Sequence, residues 1–178
     1  MKSIFILIGF CSVIIYAAGP DSLNTSEKYE SQNTVYIDGL ILLFGAINPG
    51  FERVLFDEFS VYGSVGFGDL WFTDLNTLFD IGLKYRLKKQ LKNNFYLSVA
   101  YVYTDITYKD RTALSRSLSF SGGYYHIFFD FLKIDGSAGI YISGDPMVKF
   151  TEHSGNLEKT VTVGGAGFGA SIKVGITF

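Results

Sequence analysis

The stretch "KFTEHSGN" sets Glu152, His153 and Ser154 side by side: an acid, a base and a hydroxyl, the residue types from which a hydrolytic relay is built. Adjacent positions do not make a relay, because nucleophile, base and acid must converge in space, each within hydrogen-bond reach of the next. The second histidine, His126, falls among apolar residues far away in the chain, and two histidines so separated have no metal-ligand spacing. The glycine-rich run "GGAGFGAS" at 164–171 has the composition of a phosphate-cradling loop. Such a loop must lead from a strand into a helix N-terminus, and this run sits inside a strand pattern with no helix after it. The sequence therefore predicts no catalytic, cofactor-binding or metal-binding residue, no cofactor, and no enzyme. What remains is electrostatic: Asp38, Glu52, Asp80, Lys84, Arg86, Lys133, Asp135 and Lys173, four acids and four bases that recur in step with small polar residues.

The elements that carry these charges read as strands. Successive side chains of a strand point to opposite faces, so a two-residue period marks an element with one apolar side. In "LFDIGLKYRL", Phe79, Ile81, Leu83, Tyr85 and Leu87 alternate with Asp80, Gly82, Lys84 and Arg86. In "FLKIDGSAGIYIS", Leu132, Ile134, Ala138, Ile140 and Ile142 alternate with Lys133, Asp135, Ser137 and Ser143. "FSVYGSVGF", "FYLSVAYVYT" and "LSFSGGYYHIFF" repeat the pattern, and the chain ends "ASIKVGITF", with Ile172, Val174, Ile176 and Phe178 on one parity. "TVYIDGLILLF" and "NPGFERVL" alternate poorly but are read as strands too. The expected strands span 34–44, 47–55, 59–69, 77–88, 94–107, 116–128, 131–143 and 160–178.

Composition says what the apolar face meets. Of 178 residues, 48% are hydrophobic and 17% aromatic, while only 18% are charged, against about 25% in ordinary soluble domains. The formal net charge of −2 supplies no basic field to gather nucleic acid. "MKSIFILIGFCSVIIYAAG" joins Lys2 to an apolar run and to small residues at Ala17 and Ala18, the form of a secretory signal peptide over 1–18. The only cysteine, Cys11, lies within it, so the mature chain has none for a disulfide or a thiolate metal site. A polar, aperiodic leader is expected over 19–33. No later apolar run is long enough for a transmembrane helix. In a membrane, only a closed barrel would then satisfy the backbone.

The links also alternate. "LFDEF", "KKQLKNN" and "FFDF" are short, whereas "GDLWFTDLN", "YKDRTALSR" and "GDPMVKFTEHSGNLEK" are read as longer loops, as on the two rims of an outer-membrane barrel. A soluble barrel would turn its apolar face inward, but here the polar parity is rich in Gly and Ser and the other in bulky rings. The expected fold is all-β, an eight-stranded antiparallel up-and-down transmembrane barrel over 34–178.

Signal peptide, alternating strands and the terminal "KVGITF" resemble the small bacterial outer-membrane barrels of the OmpX, OmpA-transmembrane and OmpW kind. That resemblance implies an outer-membrane location, lipid and the barrel assembly machinery as partners, and Ile172, Val174, Ile176 and Phe178 as assembly signal. "INPGFERVL", the small size and the Lys and Asn usage resemble small spirochaetal outer-membrane barrels, several of which are linked to host complement regulators or matrix proteins. Host extracellular proteins enter as candidate partners on that ground. The interior of eight strands is filled by side chains or holds one small ligand, so the eight charges are read as a paired plug in the lumen. A binding loop is expected at Met147, Lys149, Phe150, Glu152, His153, Glu158 and Lys159, since recognition favours loops on rigid scaffolds. The alternatives are a small-solute or ion conduit of the OmpW type and a lipid A-modifying barrel enzyme.

Overall fold

The computed structural model describes residues 33–56, 58–71, 73–88, 92–108, 111–143, 147–151, 158–162 and 165–178. The expected signal peptide and the leader up to residue 32 lie outside them. The chain runs through β1 (Asn33–Asp38), a single helical turn α1 (Gly39–Leu43), β2 (Ala46–Ile47), β3 (Pro49–Val54), β4 (Phe59–Leu70), β5 (Thr73–Arg86) and β6 (Asn93–Tyr108). It continues through β7 (Arg111–Phe128), β8 (Leu132–Ser143), β9 (Met147–Thr151), β10 (Glu158–Thr162) and β11 (Gly165–Thr177). All but β9 and β10 form one antiparallel sheet in the order β2-β4-β3-β1-β11-β8-β7-β6-β5, and β5 returns to β4, so the sheet closes. β2 and β3 hold one register on β4, with Ile47 opposite Phe67 and Gly50 opposite Ser64. They are one stave, and the barrel has eight.

Closure joins the first stave to the last and removes the two open ends of the sheet. At the seam, Asn33 N donates to Phe178 O at 3.1 Å and Phe178 N to Asn33 O at 2.9 Å. Asn33 thus belongs to β1 and not to the leader, because its backbone groups are used by the last strand. The turns after β3, β5 and β7 and both ends of the barrel chain share one rim. The three-residue turn after β7 places Phe129 at φ 52° and Asp130 at φ 66°, both left-handed, and Phe131 N closes it on Phe128 O at 3.2 Å.

Several expected boundaries are corrected. The first strand ends at Asp38 and not at 44: the Asp38 carboxylate accepts from Leu40 N at 2.9 Å and Ile41 N at 3.2 Å, capping α1 and breaking the strand. The poor alternation of "GLILLF" reflects this turn. The links after β4 and β5's partner β6 are not long loops, since β4 and β5 pair to Leu70–Thr73 and β6 and β7 to Tyr108–Arg111. These extensions are mostly polar, with the paired Leu75 and Ile106 among their few apolar residues, so the two-residue hydrophobic period fades while the ladder persists. Side chains knit them: Asn76 Nδ2 donates to Asp105 Oδ1 at 3.0 Å and to Thr107 Oγ1 at 2.8 Å. After β8 the chain forms a separate hairpin, Glu158 opposite Thr151 and Thr162 opposite Met147, and the last stave begins at Gly165 and not at 160.

The barrel is inside-out. Val35, Ile37, Phe59, Phe79, Ile81, Leu83, Phe95, Leu97, Phe120, Ile140, Val174 and Ile176 are exposed on the outer wall, while Glu52, Lys84, Arg86, Lys133 and Asp135 are buried. Tyrosines fill the lumen beside them, three of them lying over a glycine. Tyr36 stands opposite Gly50, Tyr62 opposite Gly82 and Tyr96 opposite Gly123. A Cβ at Gly50 or Gly123 would come within 2.4 Å of the facing ring, so only glycine fits there.

Candidate functional site

The lumen near the turn rim holds a cluster of charges with Glu52 at its centre. β3 carries Glu52, β5 carries Lys84 and Arg86, and β8 carries Lys133 and Asp135, so strands from different sides of the barrel meet in the middle. Glu52 Oε2 accepts from Lys84 Nζ at 2.9 Å and Lys133 Nζ at 2.8 Å, and Oε1 from Arg86 Nη2 at 3.0 Å and Ser60 Oγ at 2.9 Å. Lys84 Nζ also reaches Asp135 Oδ2 at 2.7 Å, and the Tyr96 hydroxyl donates to Asp135 Oδ1. The rings of Tyr96 and Tyr125 flank the cations, with Lys84 Nζ 4.1 Å from the Tyr96 centroid and Lys133 Nζ 4.6 Å from that of Tyr125. Each of the five charges is 2–5% exposed. Burial of this kind is tolerable because every charge has an opposite charge within hydrogen-bond distance, whereas removing one partner would strand the rest; only the Arg86 Nε takes no acceptor among the described residues.

Toward the other rim the lumen is sparsely filled. Asp80 Oδ2 accepts from Ser64 Oγ at 2.9 Å, and its Oδ1 takes no donor among the described residues. Asp38 spends its carboxylate on the α1 cap and on Ser171 Oγ at 2.7 Å. Lys173 Nζ lies 4.6 Å from the ring centres of both Tyr36 and Tyr62 and pairs with no carboxylate among the described residues. A cavity of about 110 Å³ stands here, bordered by Asp38, Asp80, Tyr141, Ser171 and Lys173.

Of the eight lumen charges read from parity, the structure brings five into one cluster and leaves Asp38, Asp80 and Lys173 apart around the cavity. Val174, Ile176 and Phe178 are exposed on the outer wall, and Ile172, half-buried, sits on the same face of β11. Met147, Lys149 and Phe150 lie on β9 and Glu158 and Lys159 on β10; Glu152 and His153 fall outside the described residues. His126 is on the outer parity, its ring 4.2 Å from that of Phe128. The "GGAGFGAS" glycines 165, 167 and 169 are β11 residues, with no helix following. No group of His, Cys, Asp and Glu among the described residues could hold a metal. Sequence reasoning missed Tyr36, Tyr62, Tyr96 and Tyr125 as lumen residues, although they share the parity of the serines and charges.

No family model matches the chain, and no curated protein matches it. Among solved structures, it is similar to the N-terminal β-barrel domain of Pseudomonas aeruginosa OprF, with a TM-score of 0.55 and 13% identity over 85% of this chain and 98% of that one. Neisserial surface protein A also matches, with a TM-score of 0.45 and 15% identity over 83% of this chain and 94% of that one. The architecture is thus an all-β, closed, eight-stranded antiparallel barrel of the kind found in small outer-membrane proteins.

Proposed function

We propose that the protein is a non-enzymatic integral barrel of the bacterial outer membrane, with a lumen closed by side chains and a loop rim presented for surface interaction. The observation that carries this reading is the inverted distribution of polarity: a belt of exposed Phe, Leu, Ile and Val surrounds charges that are 2–5% exposed. A soluble protein with that belt would aggregate, whereas lipid covers it without cost. The Glu52 cluster joins β3, β5 and β8 across the lumen, which supports a plug over a conduit. The β9–β10 hairpin follows β8 at the rim opposite the turns, which supports it as the element that meets a partner, host extracellular proteins being candidates.

The test is gel mobility of the outer-membrane fraction with and without boiling. Two bands, the faster in the unheated sample, are expected of a closed membrane barrel. A single band, with the protein in the soluble periplasmic fraction, would overturn the membrane reading. Capture of serum proteins on the intact barrel, repeated with residues 144–159 shortened, tests the surface role: capture that survives the shortening removes the hairpin from it. Truncating Phe178 should lower the amount of folded barrel in the membrane if Ile172, Val174, Ile176 and Phe178 are read by the assembly machinery.

A further inference from the structure

The wall of the barrel has a notch in its loop-rim half. β1 pairs with β11 only from Asp38–Lys173 to Thr34–Thr177, whereas β8 pairs with β11 up to Gly165. Because Asn33 and Phe178 exchange both their hydrogen bonds, alternate residues up β11 turn their N–H and C=O toward the β1 side. From Ala170 to Ala166 no strand among the described residues meets those groups, and the short turn α1 stands in the place where β1 would have continued. Such an edge is tolerated at membrane depth only where it lines a polar cavity.

A cavity with charged and hydroxyl groups on part of its wall lies behind it. Ile41 of α1 and Gly169, Ala170 and Ser171 of β11, which border the notch, also line the cavity of about 110 Å³, far more than the ~10–15 Å³ one water needs. Cβ atoms built at Gly165 and Gly167 would meet nothing within 4 Å among the described residues, so the lumen wall there is bare. Inside stand a carboxylate with an unused oxygen, Asp80, and an ammonium without a carboxylate, Lys173. Outside, the rim of the notch is apolar: Leu42, Leu43, Phe44 and Phe168 are exposed, Phe168 to 93%.

We propose that this notch is a lateral binding site for a single-chain amphiphile with a zwitterionic headgroup. The ammonium of the head meets Asp80, its phosphate meets Lys173, and the acyl chain leaves through the gap between α1 and β11 to lie against Leu42, Phe44 and Phe168. The reading rests on the outer belt facing lipid, which band-shift on heating of the same preparations checks separately.

The chain's single tryptophan reports on the site, since Trp71 N donates to Phe44 O at 3.2 Å and its ring meets that of Phe44 edge-on at 5.6 Å. The experiment titrates the purified barrel, in a non-brominated maltoside detergent, with lysophosphatidylethanolamine carrying a brominated chain, and follows quenching of Trp71 fluorescence. A maltoside with the same brominated chain serves as the neutral-head control. Saturable quenching by the zwitterionic probe alone is expected, weakened at least tenfold in Gly167→Phe, which adds a ring to the bare wall two residues along β11 from the cavity-lining Gly169, and in Asp80→Asn. Quenching that rises linearly with the mole fraction of both probes, or saturation that survives in either variant, overturns the site.

Discussion

The two halves of one lumen solve the same packing problem in opposite ways. Toward the turn rim, five charges and the rings of Tyr96 and Tyr125 occupy the whole section, and every cation meets a carboxylate. Toward the loop rim, β11 contributes glycine at 165, 167 and 169, and Asp80 and Lys173 stand around open space. Every stave but β1 runs through both halves, so barrel diameter does not decide whether the lumen is filled. Side-chain size on the inward parity does. One half works as a bolt that ties strands from around the barrel together, and the other keeps a chamber beside a gap in the wall.

Substitutions can break or sharpen that contrast. The largest effect belongs to Glu52→Gln, which leaves Lys84, Arg86 and Lys133 around a neutral amide; a loss of about 3–5 kcal/mol is expected from stranding buried charge. The urea midpoint of folding into detergent micelles reads it, and adding Lys133→Met should restore part of the loss by removing one of the stranded cations. Next comes Gly123→Ala, whose Cβ would collide with the Tyr96 ring and with Gly136 O; overpacking of this sort costs about 1–3 kcal/mol. Asp38→Ala uncaps α1 at a cost of about 1 kcal/mol, and its sharper signature is faster amide exchange at Leu40 and Ile41. Smallest is Gly167→Ala, a glycine change in the chamber half with nothing to strike, expected within about 0.5 kcal/mol of the parent. Equal losses for Gly123→Ala and Gly167→Ala would erase the distinction between the halves.

The fold was legible because an apolar outer wall around a polar lumen imposes a strict period on the strands between them. Phe79, Ile81, Leu83 and Tyr85 alternate with Asp80, Gly82 and Lys84, and that pattern marks a strand without any knowledge of its neighbours. Legibility stopped where that period stops. From Asp74 to Asn76 and from Asp105 to Thr107 the only apolar residues are the paired Leu75 and Ile106, too few to mark a period, so paired strand reads as loop. It also stopped at Asp38, where a local carboxylate-to-backbone bond competes with the ladder and wins. Within the lumen, parity puts Glu52, Lys84, Arg86, Lys133 and Asp135 on one kind of face with Asp38, Asp80 and Lys173. Height along the barrel axis decides who meets whom, and that depends on the stagger between strands, which no single segment encodes. The tyrosines went unnoticed because an aromatic ring on a polar parity resembles a break in the pattern.

Those rings also bear on how the barrel finds its own alignment. A slip of two residues between neighbouring staves keeps every side chain on its proper face, so hydrophobicity alone does not penalise it. It would, however, move Tyr36 from above Gly50 to above Asn48 or Glu52, Tyr62 from above Gly82 to above Asp80 or Lys84, and Tyr96 from above Gly123 to above Ser121 or Tyr125. In each case a side chain would occupy the floor the ring needs. The glycines beneath Tyr36, Tyr62 and Tyr96 therefore act as proofreading marks at three of the interstrand joints, accepting the ring only when the two strands are correctly aligned.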